Sequence, residues 1–316
     1  MNWKKVKTII IVILLVVNLF FVYNIYIQYK NIYLIDKKSI NTTVELLEQN
    51  NIIISADIIP EKKLTANIYE CRFDENYYKV ITKIMGTENY SKNIISNGIQ
   101  FISNDHGDIF EFYNILNVKY YKNSDEKIDD KYIEEVKNEL SGLSSLLSVR
   151  PVNNNYLKLI SGFLFPDSNK NNRRANKSNI EISGMLYDDK KSRYIVSCYQ
   201  TLENYKIEQC EFFVIIKNDL ILYIEGMIIF DLFENDNTDQ FCDQLNILFL
   251  EKSYIDEYKR NIVSEDDIYK IISFMPEYCI IWYTEKNIFY LVPAWRIGYS
   301  DGTVRIRNAI DGNIYL

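Results

Sequence analysis

Groups able to titrate, attack or ligate are scarce in this chain: among 316 residues there is one histidine, His106. A Ser-His-Asp or Cys-His pair therefore has no base but His106, and a multi-histidine metal site is ruled out. His106 sits in the polar run Asn104-Asp105-His106-Gly107-Asp108, a composition that suits a hairpin tip. As a calcium loop the run is poor, because it lacks alternating ligands and no bidentate glutamate follows at the right spacing. Forty-three acidic residues always offer some carboxylate pair of the glycosidase kind, so pairs alone identify nothing. No Gly-rich phosphate loop is present, since Gly142 and Gly162 stand alone. The chain reads as non-enzymatic, with no cofactor and no metal.

The five cysteines, Cys71, Cys198, Cys210, Cys242 and Cys279, are scattered and form no C-x-x-C pair. Cys198 and Cys210 lie symmetrically about Asn204 in two strand-like runs. A hairpin turning at Asn204 sets them opposite each other, as a disulfide or as two buried thiols.

Two amides stand where amides are rare. Asn18 and Asn24 lie inside residues 9–29, an apolar run with no charged side chain. Such an amide either hydrogen-bonds a neighbouring helix, at roughly 1 kcal/mol, or bonds its own backbone. Asn18 is the deeper of the two. The six-residue offset turns them about 120° apart, so one narrow seam cannot use both.

The run that carries these amides makes a helix of roughly 31 Å, about the thickness of a bilayer's hydrocarbon core. Lys4, Lys5 and Lys7 precede it without an acid, so the N-terminus is expected in the cytoplasm and the remainder outside. The run exits through Tyr23, Tyr26 and Tyr29, and the first alanine is Ala56. No small-residue cleavage site is offered, which points to an uncleaved signal anchor with a tyrosine belt opposite Trp3. Residues 1–29 hold three lysines and no acid, which leaves 33 basic against 43 acidic residues beyond them, a charge near −10. An acidic body of this kind has no electrostatic footprint for nucleic acid.

Beyond a polar spacer, Thr42 with Glu45 resembles a capping box for a helix bearing Ile40, Val44 and Leu47 on one face. Strand-like runs follow at 51–59, 64–73, 77–85 and 93–103, the last turning at Asn97-Gly98, and then at 108–114. Residues 122–130 are charged and turn-rich, a domain boundary. Asp129 opens a helix with Tyr132, Ile133, Val136 and Leu140 on one side. Residues 166–179 form a basic, Asn-rich loop, and strands resume at 179–187, 193–201, 205–216 and 220–230. A further helix carries Phe241, Leu245, Leu248 and Phe249; Ser264 with Asp267 caps another, bearing Ile268, Ile271 and Ile272 and followed by Pro276. The tail is an antiparallel meander with turns at Asp301-Gly302 and Asp311-Gly312.

The expected class is α+β: one transmembrane helix followed by helix-plus-antiparallel-sheet units starting near Thr42, Asp129 and Ser264. The expected divisions are a cytoplasmic flank at 1–8, a signal anchor at 9–29, a membrane-proximal α+β domain at 30–123, and a distal α+β domain at 124–316.

Two stretches carry a resemblance. The start, Met1-Asn-Trp-Lys-Lys-Val-Lys-Thr-Ile with Asn18-Leu19-Phe20, resembles the N-terminus of the YycI regulatory proteins of low-GC Gram-positive bacteria. The end, Pro293-Ala294-Trp295-Arg296-Ile297, then Ser300-Asp301-Gly302 and Asn308-Ala309-Ile310-Asp311-Gly312, resembles that family's closing PAWRI and DG hairpins. The resemblance implies a single-pass cell-membrane protein with small PepSY-like ectodomain units. Its partners would be a YycH-like protein and the sensor histidine kinase YycG (WalK) of the YycFG (WalRK) two-component system, which controls cell-wall metabolism. It carries over no catalytic residue. Trp295 is expected to pack the last sheet, and Arg296 to pair with an acid or face a partner. A rival expectation is an anchored, PepSY-like binding or inhibitory module acting on a wall-associated protein.

Overall fold

The computed structural model describes residues 3–72, 81–96, 98–113, 116–124, 128–142, 148–165, 178–230, 232–235, 241–262, 268–283 and 288–315. Its fold is mixed α+β with an open sheet, and the chain divides into two compact units. The first comprises residues 1–66, 239–276 and 294–316, the second residues 67–238 and 277–293. The boundary expected at 123/124 falls inside the second unit, because β6 (Asn117–Tyr121) and the helix after it share one sheet and core. The basic loop at 166–177, with Ser264 and Asp267, lies outside the described residues.

The first unit begins with α1 (Trp3–Tyr33), 31 residues and roughly 46 Å long. Residues Ile10–Gln28 have a mean hydropathy of 2.6 and none of them is buried, so this helix is long and apolar enough to span a membrane. A short joint leads to α2 (Lys37–Glu48). That helix starts before the expected capping box: Asp36 is its N-cap, accepting from the Ser39 amide at 3.0 Å, and Thr43 is buried within it. Asp36 comes first because its carboxylate takes both the amide and the hydroxyl of Ser39. Ile40 and Leu47 are buried as the spacing requires.

In the first unit β1 (Ile52–Ile54) runs parallel to the start of β13 (Tyr269–Tyr283), and the end of β14 (Ile288–Tyr299) runs antiparallel to β15 (Val304–Asn308). Two expectations fail here. Residues 269–276 are strand where Ile268, Ile271 and Ile272 suggested a helix, since β-branched residues at offsets of three and four also suit an irregular strand. The β1–β13 pairing is parallel, because strands this far apart in sequence are free of hairpin geometry. The turns at Asp301-Gly302 and Asp311-Gly312 form as expected, with both glycines at positive φ. Helix α5 (Gln244–Ile262) buries Gln244, Ile247, Leu248, Glu251 and Ile255, while Phe249 is exposed.

In the second unit the Asn97-Gly98 hairpin joins β3 (Tyr90–Ile95) to β4 (Gly98–Ser103), although Asn97 itself lies outside the described residues. Gly98 is dictated by packing: a Cβ there would lie 1.7 Å from the Phe112 carbonyl oxygen. The sheet continues through β5 (Ile109–Tyr113), β6, β11 (Leu220–Met227) and β10 (Tyr205–Lys217) to β9 (Arg193–Leu202) and β8 (Ser178–Asp188), all antiparallel. Residues 81–84, expected as strand, are helical. Helix α3 (Asp130–Leu140), capped by Asp129, lays Tyr132, Ile133 and Val136 on Ile195, Phe213, Ile215 and Tyr223. Helix α4 (Asn154–Leu164), not anticipated, takes the other face, with Phe163 5.0 Å from Tyr120 ring to ring.

Cys198 does not face Cys210. Leu202 pairs with Tyr205, but Phe212 pairs with Cys198, so the register slips within the hairpin. Residues 207–210 stand against Gln200 alone, in a bulge with Gln209 at φ 67°. Both thiols are buried and free, and burial pushes Cys198 up to about 12. Alkylation of the denatured, unreduced protein is expected to label all five cysteines; a count of three would place a bridge in the molecule.

Candidate functional site

The feature that sets this chain apart is how its membrane-length helix is fastened to folded protein, all within the first unit. Between α1 and α2 the chain takes up a single antiparallel bridge, Leu34 against Lys62. On either side the Lys63 amide donates to the Tyr33 carbonyl at 2.8 Å, and the Ile35 amide donates to Glu61 at 2.8 Å. The Lys37–Glu61 ion pair beside the joint is largely exposed and adds little. Directional backbone bonds therefore hold the base of α1, and Ile35 is buried against them.

The segment that receives α1, residues 60–63, is itself clamped from α5. Gln244 is fully buried and donates Nε2–H to the carbonyls of Pro60, at 2.5 Å, and Lys62, at 3.2 Å. Two carbonyl acceptors fix which way this amide faces. Asp243 caps α5 through the Asn246 amide at 2.9 Å, and Cys242 just before it donates its amide to Ala309.

Trp295 closes the chain of contacts. It is fully buried, stacks on Phe274 at 4.9 Å with the rings 13° apart, and donates Nε1–H to the Cys242 carbonyl at 3.3 Å. The Pro293-Ala294-Trp295-Arg296 stretch thus packs the last strands and pins the start of α5. Ala294 is fully buried, and Pro293 is where β14 passes from the second unit to the first. Arg296 follows Trp295 in the strand and faces the other way, half-buried.

The arginines on Trp295's side of the sheet are Arg305 and Arg307, cross-strand from Ile297 and Trp295. Both pair with Glu251 of α5, Arg307 through Nε at 2.5 Å and Arg305 through Nη1, while the Tyr299 hydroxyl donates to the same carboxylate. Arg307 Nη1 also donates to the Gly312 carbonyl at 2.7 Å, and the Arg305 guanidinium lies 4.7 Å from the Tyr254 ring centroid. Burial first, and then the Glu251 charge, raise the Tyr299 phenol well above its ordinary range. Gln244 and Glu251 were not singled out in the sequence. Their signal was present: 244, 247, 248, 251 and 255 trace one helical face, and a polar residue on such a face needs a buried partner.

Of the other sequence candidates, Asn24 donates Nδ2–H to its own helix at Phe20, 3.0 Å away. Asn18 has no hydrogen bond through its side chain among the described residues and is exposed on α1. Cys198 and Cys210 belong to the second unit and do not meet. His106 is exposed in the turn between β4 and β5, its amide bonded to the Ser103 hydroxyl at 3.1 Å. The neighbouring acids are engaged: Asp105 by Thr87 and Asn89, Asp108 by Tyr120 and the Asn123 amide.

No family model matches the chain, and no curated protein matches it. Among solved structures, an uncharacterized protein from Eubacterium rectale ATCC 33656 is similar, with 10% sequence identity and a TM-score of 0.38. The similarity covers 80% of this chain and 86% of that one.

Gln244→Leu removes the donor shared by the part-buried Pro60 and Lys62 carbonyls, a loss of about 0.5–1.5 kcal/mol. Hydrogen exchange at the Ile35 and Lys63 amides is expected to rise by roughly two- to tenfold, the kinetic equivalent of that range. Glu251→Ala strands the buried Arg307 and the partly buried Arg305 and is expected to lower the unfolding free energy by about 3 kcal/mol in chemical denaturation.

Proposed function

We propose that this protein is a non-enzymatic, membrane-anchored regulator that biases a sensor histidine kinase of cell-wall metabolism through helix contacts in the bilayer and protein contacts outside it. The observation that carries the reading is Asn18, an amide without a partner on an exposed apolar helix. In lipid such a group is satisfied best by another helix. The lysines before α1 favour a cytoplasmic N-terminus and an extracytoplasmic body, and the resemblance at both ends of the chain supplies the kinase and a YycH-like protein as partners.

Magnitudes explain why a helix alone would be a weak regulator. One interhelical amide contact is worth roughly 1 kcal/mol, about a fivefold change in an equilibrium. Taking a kinase from mostly off to mostly on needs about 10⁴-fold, roughly 5.5 kcal/mol of differential binding. The folded body must contribute the larger share, and the joint at Leu34–Lys62 would let body and helix act as one.

Asn18→Leu is expected to weaken co-purification of the kinase or partner from membranes about fivefold, with the melting of the folded body unchanged. Equal recovery of partner with the variant would count against the proposal. Replacing residues 1–29 with an unrelated anchor should weaken regulation at least as much as Asn18→Leu does; fully retained activity would favour an anchored binding module instead.

A further inference from the structure

Between Ile10 and Ile27 α1 exposes apolar side chains on every side, so hydrophobicity picks out no seam along it. The amides do. Asn24 spends its Nδ2–H on the Phe20 carbonyl at 3.0 Å, whereas Asn18 makes no hydrogen bond through its side chain among the described residues. The apolar span Ile10–Gln28 is 19 residues long, which puts Asn18 within one residue, about 1.5 Å, of its middle. In hydrocarbon a helix can offer such an amide an acceptor, since each backbone carbonyl keeps a second lone pair. It can offer no donor, because the N–H groups of the span are committed to its own ladder. The Oδ1 atom of Asn18 is therefore satisfied only from outside α1.

Heptad spacing through Asn18 sets Ile11, Asn18 and Ile25 at the a positions of a seam and Leu14, Phe21 and Gln28 at its d positions. Isoleucine at a with leucine at d favours two parallel strands, and a single asparagine at a fixes register and strand number. Asn24 falls beside this seam, where an amide already bonded to its own helix does no harm. Lys7, the next d position toward the N-terminus, lies outside the span, where water screens its charge. The other frame places Asn18 at d with Leu15 and Val22 at a, a combination closer to that of three or four strands. Only the first frame brings a second amide, Gln28, into the seam at the end of the span.

We infer that α1 pairs in parallel with the α1 of a second copy of this chain, along the seam of Ile11, Leu14, Asn18, Phe21 and Ile25. Copies inserted in the same direction bring their Asn18 groups to equal depth, with no adjustment of register. Each amide holds a donor and an acceptor, so two of them bond reciprocally and each Oδ1 receives the N–H that its own helix cannot supply. The inference rests on the reading of Asn18 as a contact between helices, and it names one helix that takes the amide. Self-pairing and a kinase helix would then compete for the same group, so the pair would hold the protein away from the kinase.

Single cysteines along α1 of the full-length chain, in liposomes without kinase, report which residues meet. Oxidation is expected to crosslink Leu14→Cys and Phe21→Cys into dimers. Val16→Cys and Tyr23→Cys, on the opposite side of the helix, should stay at the background of the parent, whose own cysteines are buried except for the half-buried Cys242. Asn18→Leu should weaken association about fivefold, read by energy transfer between copies tagged at the C-terminus as lipid is added, and Asn18→Gln should keep most of it. The inference is overturned by crosslinks absent or equal at all four positions, by stronger ones at Leu15→Cys and Val22→Cys, or by association of Asn18→Leu within twofold of the parent. Any of these together with weaker kinase recovery in Asn18→Leu would assign the amide to the kinase alone and leave the functional reading standing. Asn18-dependent self-association with kinase recovery unchanged would keep the inference and remove that reading.

Discussion

The two backbone hydrogen bonds of a single β-bridge, with the buried Ile35 beside them, tie the base of a membrane-length helix to folded protein. A helix of 31 residues that ended in a flexible linker would anchor the body and nothing more. Here the exit at Tyr33 and Ile35 is paired with Glu61 and Lys63 before the chain can turn into α2. Rotation or tilt of α1 must then either move the receiving segment or break bonds worth about 0.5–1.5 kcal/mol each.

The rest of the first unit stiffens that attachment in layers. Gln244 holds the receiving segment, Trp295 holds the segment that presents Gln244, and the Glu251 cluster locks α5 across β14 and β15. These layers differ in kind. The Trp295 stack is apolar and tolerant of pH, whereas the Glu251 cluster is a buried charge network whose strength depends on every member being present. One carboxylate facing two guanidinium groups and a phenol is well satisfied, so its main effect is to specify this packing over alternatives.

Local chemistry was legible in the sequence wherever a turn or cap has a single physical solution. Asp129 ahead of an apolar periodic stretch gave α3, Asn97-Gly98 gave the β3–β4 hairpin, and Asp301-Gly302 gave the β14–β15 turn. Failures came where local rules leave two solutions. Residues 268–276 carry isoleucines that fit a helix or an irregular strand, and only the pairing of β1 with β13 decides between them. The cysteine register looked settled by symmetry about Asn204, but a bulge of four residues against one lies outside any local spacing rule. The contacts of Gln244 with Pro60 and Lys62 span more than 180 residues, and no window of sequence contains them. Trp295 could be named from its motif, but not its partner Cys242, which is set by how the 239–276 segment returns to the 294–316 hairpin.

What a partner of α1 would have to offer follows from the solvent. In a bilayer the surroundings of α1 would be hydrocarbon, where Asn18 favours another amide or hydroxyl because nothing else nearby can bond it. A neutral group would therefore suffice there, and no charge need be brought into lipid to satisfy it. Such a contact should depend little on ionic strength, because screening acts on charges that reach water and not on neutral groups in lipid.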